Sequence, residues 1–289
     1  MALPDRVAPL DRDATIMIAA FEGWNDAGSS ASAAVDHLAA VWAAKEYLSL
    51  DAEDFHDFQV SRPAVSRNER GERVVSWPGT VISTAEIPSQ PGRTVLIARG
   101  IEPSMRWRQF CSEVLEAAED FDVTVLVTLG ALLVDAPHSR PLPIYLSSEQ
   151  LEMRKLLDIE RSDYDGPTGI TGVLGHEAES RGISVVSGWV GVPHYVAHPP
   201  SPKATRALLG VVERLVGAPI DLGDLEYEAE AWERGVDELA SEDEEIAAHV
   251  KTLEEVTDAA NLPEASGDAI AAEFERFLRR NEGGAARQL

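Results

Sequence analysis

Four stretches of the chain carry apolar residues at consecutive positions: Thr15–Phe21, Thr94–Ala98, Val123–Leu129 and Ile183–Val190. Short runs of this kind, rich in β-branched residues, predict central strands of a sheet covered on both faces. Between them the hydrophobic period lengthens to that of a helix. Ala31, Ala34, Val35, Leu38, Val41 and Trp42 share one helical face, and so do Trp107, Phe110, Cys111, Val114, Leu115 and Ala118 after a start at Pro103-Ser104. A third helix is bracketed by Ser201-Pro202 and Gly217, with Ala204, Ala207, Leu208, Val211, Val212 and Leu215 facing inward. Repeated strand–helix alternation predicts an α/β fold with three α/β/α layers. Arg73–Trp77 and Thr80–Glu86 instead alternate with a period of two around Pro78-Gly79. They predict a hairpin, and with it a mixed sheet with an antiparallel edge.

Beyond Ile220 the pattern is helical and acidic. Leu225, Ala229, Trp232, Val236 and Leu239 step by four and three, and Ile246, Val250, Leu253 and Thr257 repeat the seam. Ser241 and Glu244 have the spacing of a capping box that starts the second of these helices. Pro263 ends it, and Ser266-Gly267-Asp268 starts a third carrying Ile270, Phe274 and Phe277. From Asp221 onward there are 20 acidic and 6 basic residues, a net of −14. The whole chain carries −25, so the first 220 residues carry −11. The sequence therefore divides into an α/β domain, 1–220, and an acidic helical module, 221–289. The seam of that module needs a partner surface, either the α/β core or another subunit.

So acidic a chain is repelled by phosphate backbones and anionic bilayers, so neither nucleic acid nor membrane is expected as a partner. No apolar run reaches the length of a membrane span, and the residues that open the sequence lack a signal-peptide core, which predicts a cytoplasmic protein. With one cysteine, Cys111, an internal disulfide and a four-cysteine zinc site are both excluded. Cys111 lies on the apolar face of its helix and reads as core rather than nucleophile. Trp77, Trp107 and Trp189 read as packing residues, and His37 and His56 carry no signal.

Each predicted central strand ends in an unusual loop: Gly23-Trp24-Asn25-Asp26-Ala27-Gly28, Gly100-Ile101-Glu102-Pro103-Ser104, Asp135-Ala136-Pro137-His138-Ser139-Arg140-Pro141, and Gly191-Val192-Pro193-His194-Tyr195. If the strands are parallel, these loops share one edge of the sheet, where α/β proteins bind ligands. Glu22, Asp26, Glu102, His138, Arg140 and His194 would then form one rim of acid–base candidates. Trp24, Asn25, Gly28, Thr168, Gly169 and Thr171 would supply a contact surface or an anion cradle, the last three from Gly166–Gly172. The competing reading is structural: the glycines and prolines shape tight turns, the carboxylates cap helices and the histidines satisfy local backbone. No catalytic residue is assigned outright. There is no nucleophile elbow, no Walker loop and no dinucleotide fingerprint. His176-Glu177 lacks the second histidine of a zinc-protease motif, so neither a metal nor a cofactor is expected.

The ordered set Gly-Trp-Asn-Asp-Ala-Gly from Gly23, Gly-Ile-Glu-Pro-Ser from Gly100, Ala-Pro-His-Ser-Arg-Pro from Ala136 and Gly-Pro-Thr-Gly-Ile-Thr-Gly from Gly166 resembles the proteasome assembly chaperone 2 family in its bacterial, actinobacterial branch. The likeness continues through Val192–Leu209 and into Ser266–Arg279. It implies an α/β domain similar to the phosphorylase and peptidyl-hydrolase folds, a helical extension, and homo-oligomers, with a trimer as the expected size. Relatives that dock on proteasome α-rings use a tail with a penultimate tyrosine. This sequence ends Arg287-Gln288-Leu289, which predicts that docking by that mode is lost. Two functions follow as expectations: a non-enzymatic, homo-oligomeric interaction module of chaperone or scaffold type linked to proteasome subunits, or a small-molecule hydrolase, phosphorylase or ligand sensor using the rim.

Overall fold

The computed structural model describes residues 9–260. Seven strands form one mixed sheet in the order β2-β5-β6-β1-β7-β9-β8. They are β1 (Ile16–Glu22), β2 (Lys45–Leu50), β5 (Thr80–Glu86), β6 (Thr94–Ile101), β7 (Val125–Val134), β8 (Ile144–Ser147) and β9 (Ser184–Pro193). A separate two-stranded ribbon joins β3 (Ala64–Arg67) and β4 (Arg73–Ser76). The four strands expected from consecutive apolar runs, β6, β1, β7 and β9, are parallel neighbours. β5 and β2 add antiparallel strands on one side and β8 on the other.

Alternate residues of the central strands feed two cores, as burial on both faces requires. Ile16, Ile18, Ala20, Val127, Leu129 and Val190 pack beneath α1 (Ser30–Val41) and α6 (Pro202–Val216). Met17, Ala19, Phe21, Leu96 and Leu126 pack beneath α3 (Trp107–Glu119) and α5 (Ile170–Ser180). Phe110 anchors this second face, edge-on to both Phe21 and Phe55, at centroid distances of 5.5 and 5.4 Å. Phe55 closes the short α2 (Ala52–Phe55). Cys111 is fully buried in the same core, as its helical position implied. α6 begins at Pro202 and ends where Gly217 takes the left-handed conformation (φ +65) that stops the helix, as the sequence indicated. The remaining helices are α4 (Leu151–Leu157), α7 (Leu225–Glu242) and α8 (Glu244–Ala260).

Several expectations need correction. Arg73–Ser76 does not pair with Thr80–Glu86. It pairs with Ala64–Arg67, and Pro78-Gly79 is a passage from the exposed ribbon into the sheet. β5 is an interior strand between β2 and β6, with Thr80, Ile82, Ser83 and Ala85 buried. Trp77 is 57% exposed and leans on Phe58, 5.0 Å away, so it is not a core residue. The Ser241–Glu244 capping box does not form. The Ser241 hydroxyl donates to the carbonyl of Glu238, and Asp243 caps α8 by accepting from the Glu245 and Ile246 amides. β7 and β9 outrun their apolar runs by several residues, so Gly191 lies inside a strand rather than in a loop. The helix expected from Ser266 lies outside the described residues.

The seam expected on α7 finds a partner surface within the chain for part of its length, while Leu239 is 61% exposed. Leu225, Ala229 and Val236 are buried where α7 packs along α6, and α8 packs back along α7. Among the described residues, no helix is long and apolar enough to cross a membrane.

Candidate functional site

The strand ends do lie along one edge of the sheet, but their loops form two sites rather than one rim. The first is a corner between β1, β6 and the start of α5. Here the chain leaves β1 at Glu22 and turns through Gly23, at φ +122, where a side chain would be strained and would crowd Glu102. Asn25 is 1% exposed, and its carbonyl accepts the Ala131 amide at 2.8 Å, fastening the turn to β7. The Asn25 side-chain amide donates to Glu102 Oε1 at 2.9 Å, and the same oxygen accepts the Ile170 amide at 2.8 Å. Glu102 is thus the anion at the first amide of α5. The anion cradle predicted around Thr168, Gly169 and Thr171 is filled by the protein's own carboxylate. Gly169 is required because a Cβ there would lie 2.2 Å from the Asn25 amide.

Asp26 does the same for α1. One carboxylate oxygen accepts the Ala31 amide at 2.7 Å and the Ser32 amide at 3.4 Å, and the other accepts the Ser32 hydroxyl. Burial raises its pKa, against the opposing pull of the Ser32 and Ala31 hydrogen bonds. Gly28, at φ +63, lets the loop approach Ser201 at the start of α6, and its carbonyl accepts the Ser201 amide at 3.0 Å.

Next to this corner opens a cleft of about 1360 Å³, on the face of β7, β9 and β8 that α5 leaves uncovered. Glu22, Trp24, Thr168 and Thr171 line it, as do Leu132, Leu133, Tyr145, Tyr164 and Trp189. Trp24 and Tyr164 are 65% and 66% exposed. Across its floor runs a polar stripe. The Thr128 hydroxyl donates to Ser187 Oγ at 3.3 Å, and the Trp189 indole N–H donates to the same oxygen at 3.0 Å. The Trp189 ring lies on Gly130, where a Cβ would come within 2.6 Å of it. Glu22 and, on α5, Glu179 also reach the cleft. Burial raises both carboxyl pKa values, aided by Asp26 and Asp36 at Glu22 and by Glu149 at Glu179. Thr128 and Ser187 were missed in the sequence, and Trp189 was read there only as packing. Their one signal is hydroxyl and glycine residues at alternate positions of strands otherwise apolar.

His138 and Arg140 do not reach the cleft. They form a second site, a socket for the acidic helices. His138 is buried: its Nδ1 and backbone amide both meet the Tyr195 hydroxyl at 2.8 Å, and its Nε2 meets Asp237 of α7 at 3.0 Å. Lys203 bridges the His138 carbonyl and Glu233 of α7. Arg140 grips Asp258 of α8 with two parallel hydrogen bonds of 2.8 Å, and Ser139 donates to Glu254. Arg206 pairs with Glu226 at 2.9 Å, and His37 meets the Asp221 carbonyl at 2.7 Å. The acidic helices α7 and α8 are thus held in part by cationic side chains of the preceding elements. His194 stands beside this socket, 2.9 Å from Asp135.

The sequence profile of the PAC2 family matches residues 20–240. The chain belongs to the PAC2 family. Among solved structures, a PAC2 family protein from Streptomyces avermitilis is 47% identical, with a TM-score of 0.77 over 82% of this chain and 99% of its own. A proteasome-assembly chaperone homologue from Mycobacterium tuberculosis is 43% identical, with a TM-score of 0.74 over 82% of this chain and 100% of its own. An archaeal proteasome activator from Pyrococcus furiosus, 18% identical with a TM-score of 0.64 over 82% and 95% of the two chains, shares the PAC2 fold. No curated protein gives a significant match.

Proposed function

We propose that this PAC2 protein is a non-enzymatic, homo-oligomeric interaction module of the cytoplasm, acting as an assembly chaperone or scaffold for proteasome subunits. In this reading the α/β part, residues 1–220, presents the docking cleft, and the acidic module, residues 221–289, is carried on it as a second domain. One observation carries the proposal: the acid–base candidates do not converge. Asp26 caps α1, Glu102 caps α5, and His138 and Arg140 hold α7 and α8. Of the six, His194 pairs with Asp135 outside the cleft, and Glu22 is left facing the cleft, its carboxylate without a hydrogen-bond partner among the described residues. The cleft itself offers aromatic and aliphatic surface at Trp24, Leu133 and Tyr145, the composition of a protein-docking core. The 43% identity to a chaperone homologue supports the proteasome link.

The test is the mass of the full chain in solution, followed by assembly of purified proteasome α-subunits in its presence. The parent should be a homo-oligomer, a trimer being the expected size, and should change the rate of α-ring formation. Leu133→Asp and Tyr145→Asp should abolish both effects while circular dichroism stays unchanged. A parent that is monomeric at every concentration, or inert toward the α-subunits, defeats the reading.

A second reading, a small-molecule hydrolase, phosphorylase or ligand sensor, draws on the raised carboxyl pKa values of Glu22 and Glu179 in a common cleft. The cleft exceeds the ~300–1,000 Å³ usual for such ligands. Turnover that disappears in Glu22→Gln would favour it.

A further inference from the structure

β7 and β9 run parallel with Val134 opposite Pro193 at their ends. The next residue of each strand therefore leaves the sheet beside the other, and these two residues are Asp135 and His194. His194 Nδ1 lies 2.9 Å from Asp135 Oδ1. Above them α8 brings down His249, whose ring centroid is 5.3 Å from that of His194 and 6.0 Å from that of Tyr195. One carboxylate oxygen of Asp135 and one nitrogen from each imidazole lie within 4.8 Å of one another. His249 Nε2 is enclosed and has no hydrogen-bond partner among the described residues.

We propose that Asp135, His194 and His249 form a binding site for a first-row transition dication of the zinc type, which fastens α8 to the ends of β7 and β9. Two imidazoles and one carboxylate are a borderline-soft donor set suited to zinc and poorly suited to magnesium or calcium. Tetrahedral ligands at about 2.0–2.2 Å from zinc leave donor atoms about 3.4 Å apart. The 2.9 Å between His194 and Asp135 and the 4.8 Å that bounds the set bracket that spacing. The fourth position opens to solvent, because Asp135 and His194 are exposed, and a water would complete the shell. Two ligands sit at strand ends and the third on a helix held otherwise by packing along α7 and by surface ion pairs. A bound ion would convert a salt-sensitive joint into a fixed one. Neither histidine belongs to a recognisable ligand motif, because strand pairing and helix docking, not sequence spacing, bring the donors together.

The experiment uses the full chain, stripped with EDTA and dialysed, and titrated with Zn²⁺ by calorimetry and with Co²⁺ by visible absorption. The parent should take up one equivalent of each, with Co²⁺ bands of a four- or five-coordinate site. Asp135→Asn, His194→Gln and His249→Gln should each weaken Zn²⁺ binding by more than the ~10–100-fold that loss of an outer-shell partner costs. His176→Gln, a change elsewhere, should bind as the parent does. Zn²⁺ should slow amide exchange in α8 of the parent and leave His249→Gln unaffected. Absence of saturable binding below ~1 mM, or binding that survives all three substitutions, refutes the site. Binding that depends on the three residues but leaves α8 exchange unchanged refutes the fastening. Three variants on three different elements keep the test decisive if one of them fails to fold.

Discussion

Where β1 meets α5, Asp26 and Glu102 are enclosed among the backbone amides they accept from. At the socket for α7 and α8, Arg140 meets Glu254 and Asp258 at the surface, within reach of solvent. Both regions use charged side chains to hold helices, yet their energetics differ. A buried carboxylate that satisfies helix-terminal amides cannot be removed without orphaning them. A surface ion pair is screened by salt and replaced by water at little cost. The comparison explains how one sheet edge can be rigid at one end and adjustable at the other.

The contrast is broken most directly by Asp26→Ala. It should lower the unfolding free energy by about 2–3 kcal/mol in urea titration, because the Ala31 and Ser32 donors lose their acceptor inside the protein. Glu102→Ala should cost about 2 kcal/mol, freeing the Ile170 amide and the Asn25 side chain, and should loosen the floor of the turn that carries Trp24. If either variant is as stable as the parent, the corner is not the rigid half.

The pH dependence of the two regions should have opposite sign. Asp26 has a folded pKa raised above 3.8, mainly by burial. Its contribution is therefore fullest below 3.8 and is lost as pH rises through the raised value. Asp258 has a folded pKa lowered below 3.8, first by its hydrogen bond to Arg140. Its contribution is present above 3.8 and is lost as pH falls through the lowered value. Subtracting the stability curve of Asp26→Asn from the parent's should leave a difference that grows on acidification through this window. For Asp258→Asn the difference should shrink. Matching slopes would dissolve the distinction.

Arg140→Ala should leave the global unfolding transition nearly in place and accelerate amide exchange in α8, with the parent approaching the variant at high salt. The smallest effect should be at Cys111, whose thiol pKa is pushed up to about 12, mainly by burial, and which should resist iodoacetamide in parent and Arg140→Ala alike. Rapid labelling of the variant would show that the socket and the core open together.

Periodicity alone made the central strands, α1, α3 and α6 legible, because burial on one or both sides imposes a pattern that few other structures share. The pairing of β4 was not legible. Arg73–Ser76 and Thr80–Glu86 alternate alike, and nothing local says that one edges an exposed ribbon while the other lies inside the sheet. The rim residues were recognised as a set, but spacing along a chain does not encode which strand end faces which helix. Glu102 found α5 and Arg140 found α8 through tertiary packing. The cleft was hidden for a related reason. Its floor is made of Thr128, Ser187 and Trp189, whose significance lies in being side by side on β7 and β9.

The two outer strands of the sheet carry a further consequence. On one side β2 begins with Lys45 and Glu46, is mostly exposed, and slips register between Glu46 and Leu48. On the other, β8 is four residues long and its end is bridged by Glu160. A bulged, charged edge and a short, guarded one are poor templates for another chain's backbone. At high concentration, copies of this protein are therefore steered away from the strand-on-strand growth that leads to fibres. Association through this sheet is left to side chains on its faces and loops, where it can be reversed.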